Sequence, residues 1–322
     1  VLGIDPADGL VGPIPVLLAR FGHRPSLPAA VHGQWRREPR YSGRMDTLMT
    51  VAELKDRLDS GARTVLLDVR WALGDPHGRE HYVAAHLPGA VFVDLATELA
   101  GPADPSRGRH PLPPLEQFQQ SARGWGVRDG DVVVAYDDTG NLAAARLWWM
   151  LRNAGFPTVT LLDGGLAAWR AAGFGVETGE TVVEPGDVVL SDGAMPVIDA
   201  DDAAAWPDHG LLLDARAGER YRGEIEPVDP RAGHIPGAVS APTTGNLGAD
   251  GRFLPAAALR ERFAGLGVHA DRPTAVYCGS GVTAAHEIAA LEIAGFPAAL
   301  YPGSFSEWSN NPSKAVVTGA AP

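Results

Sequence analysis

The chain is written twice, and this repetition constrains its fold more than any other feature of its 322 residues. One set of landmarks runs Val65-Leu-Leu-Asp-Val-Arg70, His86-Leu-Pro-Gly-Ala90, Val132-Val-Val-Ala-Tyr-Asp137, Gly155-Phe-Pro157 and Leu161-Leu-Asp-Gly-Gly-Leu-Ala-Ala-Trp169. A second set answers in the same order: Leu211-Leu-Leu-Asp-Ala-Arg216, His234-Ile-Pro-Gly-Ala238, Thr274-Ala-Val-Tyr-Cys278, Gly295-Phe-Pro297 and Leu300-Tyr-Pro-Gly-Ser-Phe-Ser-Glu-Trp308. Two copies of one domain are expected, over 49–175 and 195–311, with a Gly/Glu/Val-rich linker at 176–194 and a tail at 312–322. Residues 1–44 are rich in Gly, Pro and Arg, lack a sustained period, and precede Met45-Asp-Thr-Leu-Met49. They read as an irregular extension, upstream of a natural start at Met45 or Met49, the alternative being an ordered arm over a domain.

Within each copy, short apolar runs bounded by Gly and Pro alternate with helical patterns. Leu211–Leu213 and Ala275–Tyr277 are strand-like, and Thr283–Ala294 spaces Ile288 and Leu291 as one helix face requires. That alternation predicts an α/β fold, tandem domains each with a mostly parallel sheet flanked by helices. Ligands of such sheets lie beyond the carboxyl ends of the strands. The turns after Tyr136 and Tyr277 fall there.

The net charge of −12, with no run of like charges, disfavours nucleic acid and anionic membranes as partners. It also means that an anionic substrate needs locally placed cations. No apolar stretch reaches the ~20 residues of a membrane span. The chain has one cysteine, which makes neither an intramolecular disulfide nor a cysteine-based zinc site. No metal or cofactor is expected, and the location expected is the cytoplasm.

The repeat supplies an internal control, because a residue present in both copies serves the fold that both must reach. His86 and His234, the Asp68/Arg70 and Asp214/Arg216 pairs, and Trp169 and Trp308 recur, so all are assigned to structure. Cys278 does not recur, since Asp137 stands in its place. The next five residues, Gly279-Ser280-Gly281-Val282-Thr283, run directly into a helix. Two glycines let backbone amides converge on an anion, and the helix terminus adds partial positive charge. Both stabilise negative charge at this point, which for a cysteine is the nucleophilic thiolate. The plainer alternative is a buried, inert cysteine. His110, in Gly108-Arg-His-Pro-Leu-Pro113, is also copy-specific: Phe253 is its counterpart in Gly251-Arg-Phe-Leu-Pro255.

The paired copies, the Cys-Gly-Ser-Gly-Val-Thr loop and the Gly-Ser-x-x-Glu-Trp ending resemble the rhodanese superfamily, and the loop is similar to that of its mercaptopyruvate sulfurtransferases. The resemblance implies an inactive first domain, an active second domain and a site at their interface. It implies a Cys278 persulfide formed from a small sulfur donor and handed to an external thiol, a small thiol or a thioredoxin-like protein, or to cyanide. The acceptor must be external, since this chain has no second cysteine. It further implies proton transfer by Ser280, for which capping of the turn is the alternative, an interface role for His110, and recognition of the donor carboxylate by Arg220. Gly279, Gly281, Val282 and Thr283 are expected to complete the donor site.

The chain departs from this pattern twice. The family commonly places a second substrate arginine nine residues after the first, where this chain has Asp229, which leaves Arg231 as a candidate substitute. An aspartate that joins the cysteine, serine and histidine in some members is Ala96 here. Thiosulfate is the rival donor, disfavoured because Gly279-Ser280-Gly281 supplies no cation beside the cysteine. Tyrosine-phosphatase chemistry lacks its loop arginine, and a non-catalytic interaction module would not need an intact cysteine loop.

Overall fold

The computed structural model describes residues 45–322, so the extension at 1–44 lies outside the described residues. The first copy contains strands β1 (Leu48–Met49), β2 (Thr64–Asp68), β3 (Val91–Phe92), β4 (Val132–Tyr136) and β5 (Val159–Leu162). Between them run α1 (Val51–Asp59), α2 (Gly78–Ala84), α3 (Leu95–Glu98), α4 (Leu115–Gly124) and α5 (Ala144–Asn153), with α6 (Gly165–Ala171) closing the unit. The second copy has α7 (Ala200–Ala205), β6 (Leu211–Asp214), α8 (Gly218–Tyr221), β7 (Val239–Ser240), α9 (Ala256–Gly265), β8 (Thr274–Tyr277), α10 (Thr283–Ala294), β9 (Ala299–Leu300) and α11 (Ser304–Asn310).

Both sheets are parallel, in the orders β1-β5-β4-β2-β3 and β7-β6-β8-β9. Val197 bridges Leu300 in parallel, where β1 meets β5 in the first copy. Their near-continuous apolar strands suit a sheet covered on both faces. Leu66, Leu67, Val133, Val134, Leu212, Leu213, Ala275 and Val276 are all buried. Strands β4 and β8 are interior to their sheets, so Tyr136 and Tyr277 deliver the chain to the carboxyl edge at equivalent points.

The recurrent polar residues hold that edge together. Arg70 and Arg216 donate to the buried Asp68 and Asp214 at 2.8 and 2.6 Å. The Tyr136 and Tyr277 hydroxyls accept the Leu87 and Ile235 N–H groups, one residue past each recurrent histidine. His86 and His234 stack on Tyr82 and Tyr221 and bond the carbonyls of those tyrosines at 2.9 and 2.8 Å. Trp169 and Trp308 are buried, their indoles donating to Gly175 and Ala315 carbonyls.

The units meet through the helices that follow the two strand-end turns. All ten residues of α5 are buried, and so is most of α10. A helix apolar on every side must be enclosed by protein, and Leu147, Trp148, Leu151, Ile288 and Leu291 form one core spanning both units. The arrangement is reciprocal. Arg146 of α5 donates to the Gly281 carbonyl of the opposite turn, and His286 of α10 bonds the Gly140 carbonyl of the first.

Candidate active site

Cys278 follows β8 and is only 2% exposed. Its N–H donates to the Ser304 hydroxyl at 3.2 Å, and its Sγ accepts the Gly281 N–H at 3.1 Å. The loop carbonyls are drawn away from the sulfur: Phe305 and Ser306, in α11, donate to the Cys278 and Gly279 carbonyls at 3.0 and 2.8 Å. Gly281 has φ +77°, and a Cβ there would fall 2.4 Å from the Pro302 carbonyl oxygen. Only glycine keeps this turn and its inward amide.

The first copy shows what the turn does to an anion. The Asp137 carboxylate, at the position of Cys278, accepts N–H groups from Thr139, Asn141, Ala143 and Ala144 at 2.7–3.1 Å. Burial pushes its carboxyl pKa up, against the pull of those four bonds. The first copy's nest is therefore filled by its own aspartate, whereas the second holds a sulfur at the same place.

The first unit also contributes to the cysteine loop. His110 Nδ1 lies 2.7 Å from the Ser280 hydroxyl, and Trp71 packs edge-on against the imidazole with ring centroids 5.6 Å apart. Burial, then the Arg146 and Arg109 charges, lowers the His110 pKa to about 4, so the ring is neutral at neutral pH. Arg146 is fully buried and donates to the Gly281, His110 and Leu99 carbonyls, tying the loop to the histidine segment. Burial lowers its pKa to about 10, opposed by the Cys278 charge. Sequence reasoning missed Arg146, although a visible signal existed: an arginine within the apolar run of α5, at the place that His286 takes in α10.

Around Gly279 the structure corrects two expectations. Arg231 does not face the loop: its guanidinium donates to the carbonyls of Trp308, Ser309, Asn311 and Lys314, each at 2.8 Å. With four of its five N–H groups so used, Arg231 clamps the end of α11 and is no substitute for a substrate arginine. Nor is the loop without nearby cations. A Cβ at Gly279 would lie 3.4 Å from Arg220 Nη1 and 3.1 Å from Arg109 Nη2. Arg220 is where expected, but it is ion-paired with Glu226 at 2.6 Å and Asp229 at 3.1 Å. Sequence reasoning did not single out Arg109, because its approach depends on how the units dock.

Other expected positions contribute less. Val282 buries its side chain in the shared core, so only its backbone belongs to the loop, and Thr283 is the first residue of α10. Ala96 lies in α3, where its N–H donates to the capping Asp94 carboxylate. Among the described residues no carboxylate hydrogen-bonds the His110 ring, whose Nδ1 is bonded to Ser280. No helix there is long and apolar enough to cross a membrane.

Two parallel α/β units, docked through the helices behind their strand-end turns, thus bring together one cysteine, whose sulfur accepts the Gly281 amide, and a histidine of the other unit bonded to Ser280 of the same loop. The chain belongs to the rhodanese family: the rhodanese-like domain model matches residues 50–172 and 199–311. It is 48% identical over 280 residues, 84% of this chain and 98% of the other, to a Pseudomonas aeruginosa protein provisionally named a 3-mercaptopyruvate sulfurtransferase. It is 45% identical over 284 residues, covering 86% and 99%, to a Mycobacterium tuberculosis protein provisionally named thiosulfate sulfurtransferase SseB. The crystal structure of SseA from Escherichia coli, a 3-mercaptopyruvate sulfurtransferase, superposes with a TM-score of 0.72 at 32% identity, covering 81% of this chain and 99% of that one.

Proposed function

We propose that this protein is a sulfurtransferase that takes sulfur from 3-mercaptopyruvate onto Cys278 and passes it to an external thiol. The observation that carries this reading is the Cys278 loop, where an amide donates to Sγ while the Ser280–His110 bond stands across the domain boundary. The Cys278 thiolate attacks the donor sulfur, and the donor C–S bond breaks with its electron pair passing to carbon as pyruvate enolate. Ser280 protonates the enolate carbon, and His110 returns a proton to the serine oxygen while taking one from solvent at Nε2. The neutral imidazole suits this relay. Cys278 is left as a persulfide, stabilised by the inward Gly281 amide. An acceptor thiolate then attacks that outer sulfur and releases the Cys278 thiolate. A small thiol or a thioredoxin-like protein fits the acceptor role, and with one cysteine the chain suits the reducing cytoplasm.

Thiosulfate is the second reading, favoured by the Arg109 and Arg220 guanidiniums beside Gly279, which would meet a dianion close to the attacked sulfur. Their charge is offset by Asp229 and Glu226, which keeps mercaptopyruvate first. Comparing kcat/KM for the two donors at fixed ionic strength tests the order. Preference for thiosulfate would reverse it, and turnover of neither would overturn the reading.

A further inference from the structure

Arg109 belongs to the first unit but is built into the second. The preceding Gly108 has φ +92°, and a Cβ there would fall 2.6 Å from the Gly303 carbonyl oxygen and 2.8 Å from Ser306 Oγ. The Arg109 N–H donates to that Ser306 hydroxyl at 3.0 Å. Its guanidinium pairs through Nη1 with Asp229, whose carboxylate is 1% exposed and whose other oxygen accepts from Arg220 at 3.1 Å. One buried carboxylate thus holds two guanidiniums, one from each unit, beside Gly279, the residue after Cys278.

The pairing uses only one edge of Arg109. Nε is buried without a hydrogen-bond partner, and Nη2 makes no hydrogen bond among the described residues while lying beside Gly279. These two nitrogens form a parallel fork that fits a carboxylate side-on. A buried donor left unpaired is costly, and a carboxylate at that edge would relieve the cost. Nε itself is buried, while the side chain as a whole is 25% exposed. The side chain missing from Gly279 is what leaves room there.

We propose that Arg109 is a donor-binding residue, supplying from the first unit a second guanidinium for the carboxylate of an α-keto thiol over Gly279, with Asp229 positioning Arg109 and Arg220. This rests on the mercaptopyruvate reading. It makes donor recognition a property of the docked pair of units, since Arg109 and Arg220 come from different ones. Arg109 would act on the carboxylate and not on the sulfur chemistry, so KM should respond and kcat should not.

The test compares wild type with Arg109→Gln, on mercaptopyruvate and on mercaptoacetone, which keeps the thiol and ketone but lacks the carboxylate. The expected result is a KM for mercaptopyruvate raised roughly 10- to 100-fold, a kcat within about twofold, and no change in kcat/KM for mercaptoacetone. Arg109→Lys, which keeps the charge and loses the fork, should fall between the two and serves if the glutamine variant fails to fold. An unchanged mercaptopyruvate KM, or equal losses on both donors, overturns the assignment and makes Arg109 a structural tie. A wild type that releases no pyruvate from mercaptopyruvate instead overturns the donor reading itself.

Discussion

Replacing Gly281 by alanine should separate the loop's geometry from its chemistry. At φ +77° an L-residue costs about 1–2 kcal/mol, and the new Cβ would stand 2.4 Å from the Pro302 carbonyl oxygen, a backbone atom with little freedom to yield. The turn must therefore shift and withdraw the Gly281 N–H that lies 3.1 Å from Cys278 Sγ. A hydrogen bond to a charged acceptor contributes about 1.5–3 kcal/mol, so persulfide formation should slow about 10- to 100-fold. The loss adds to that strain because Arg146 donates to the same residue's carbonyl and would be disturbed with it. Single-turnover pyruvate release, beside a thermal melt, reads both effects. A variant with wild-type single-turnover rate and melting temperature would refute the view that this glycine aims an amide at the sulfur.

Arg220 and Arg231 should behave differently. Arg220→Ala should raise the mercaptopyruvate KM by about 2–3 kcal/mol of lost charge-assisted binding. Arg231→Ala should leave KM unchanged but lower stability by roughly 2–3 kcal/mol as four carbonyls lose a donor, measured by denaturant unfolding. The reverse ranking on KM would return Arg231 to the donor site. His110 should titrate with a midpoint near pH 4 by NMR of the labelled imidazole, against an ordinary value of 6.5. Its folded pKa is depressed, so the stability linked to it is complete above about pH 6.5 and is lost as pH falls toward 4. The difference between wild type and His110→Gln isolates this group from Asp68 and Glu287, whose carboxyl pKa values, raised by burial to about 6 and about 7, act in the opposite sense. A midpoint near 6.5 would contradict a buried, neutral relay.

Most of the fold was legible because the repeat made each copy a check on the other. Residues in both copies, such as Asp68 with Asp214 and His86 with His234, proved to hold the carboxyl edges of the sheets. Cys278, Ser280 and His110, which the repeat or the loop motif singles out, converge across the boundary. What sequence could not supply was the docking. Arg109 sits beside a histidine that was singled out, yet its pairing with Asp229 spans the two units and leaves no local pattern. Arg231 was misjudged because counting residues from Arg220 says nothing of where the chain turns after Asp229, and its side chain points to the end of α11. The same blindness hid the second cation beside Gly279, Arg109, which comes from the other unit.

The most direct test of the account is the intact mass of the protein after incubation with 3-mercaptopyruvate and removal of small molecules. Wild type should gain one sulfur atom, on the peptide containing Cys278, and lose it to an added thiol. Cys278→Ser should keep its fold and gain none. Unchanged wild-type mass alongside continued pyruvate release, or retention of turnover in the serine variant, would contradict the claim that Cys278 carries the sulfur.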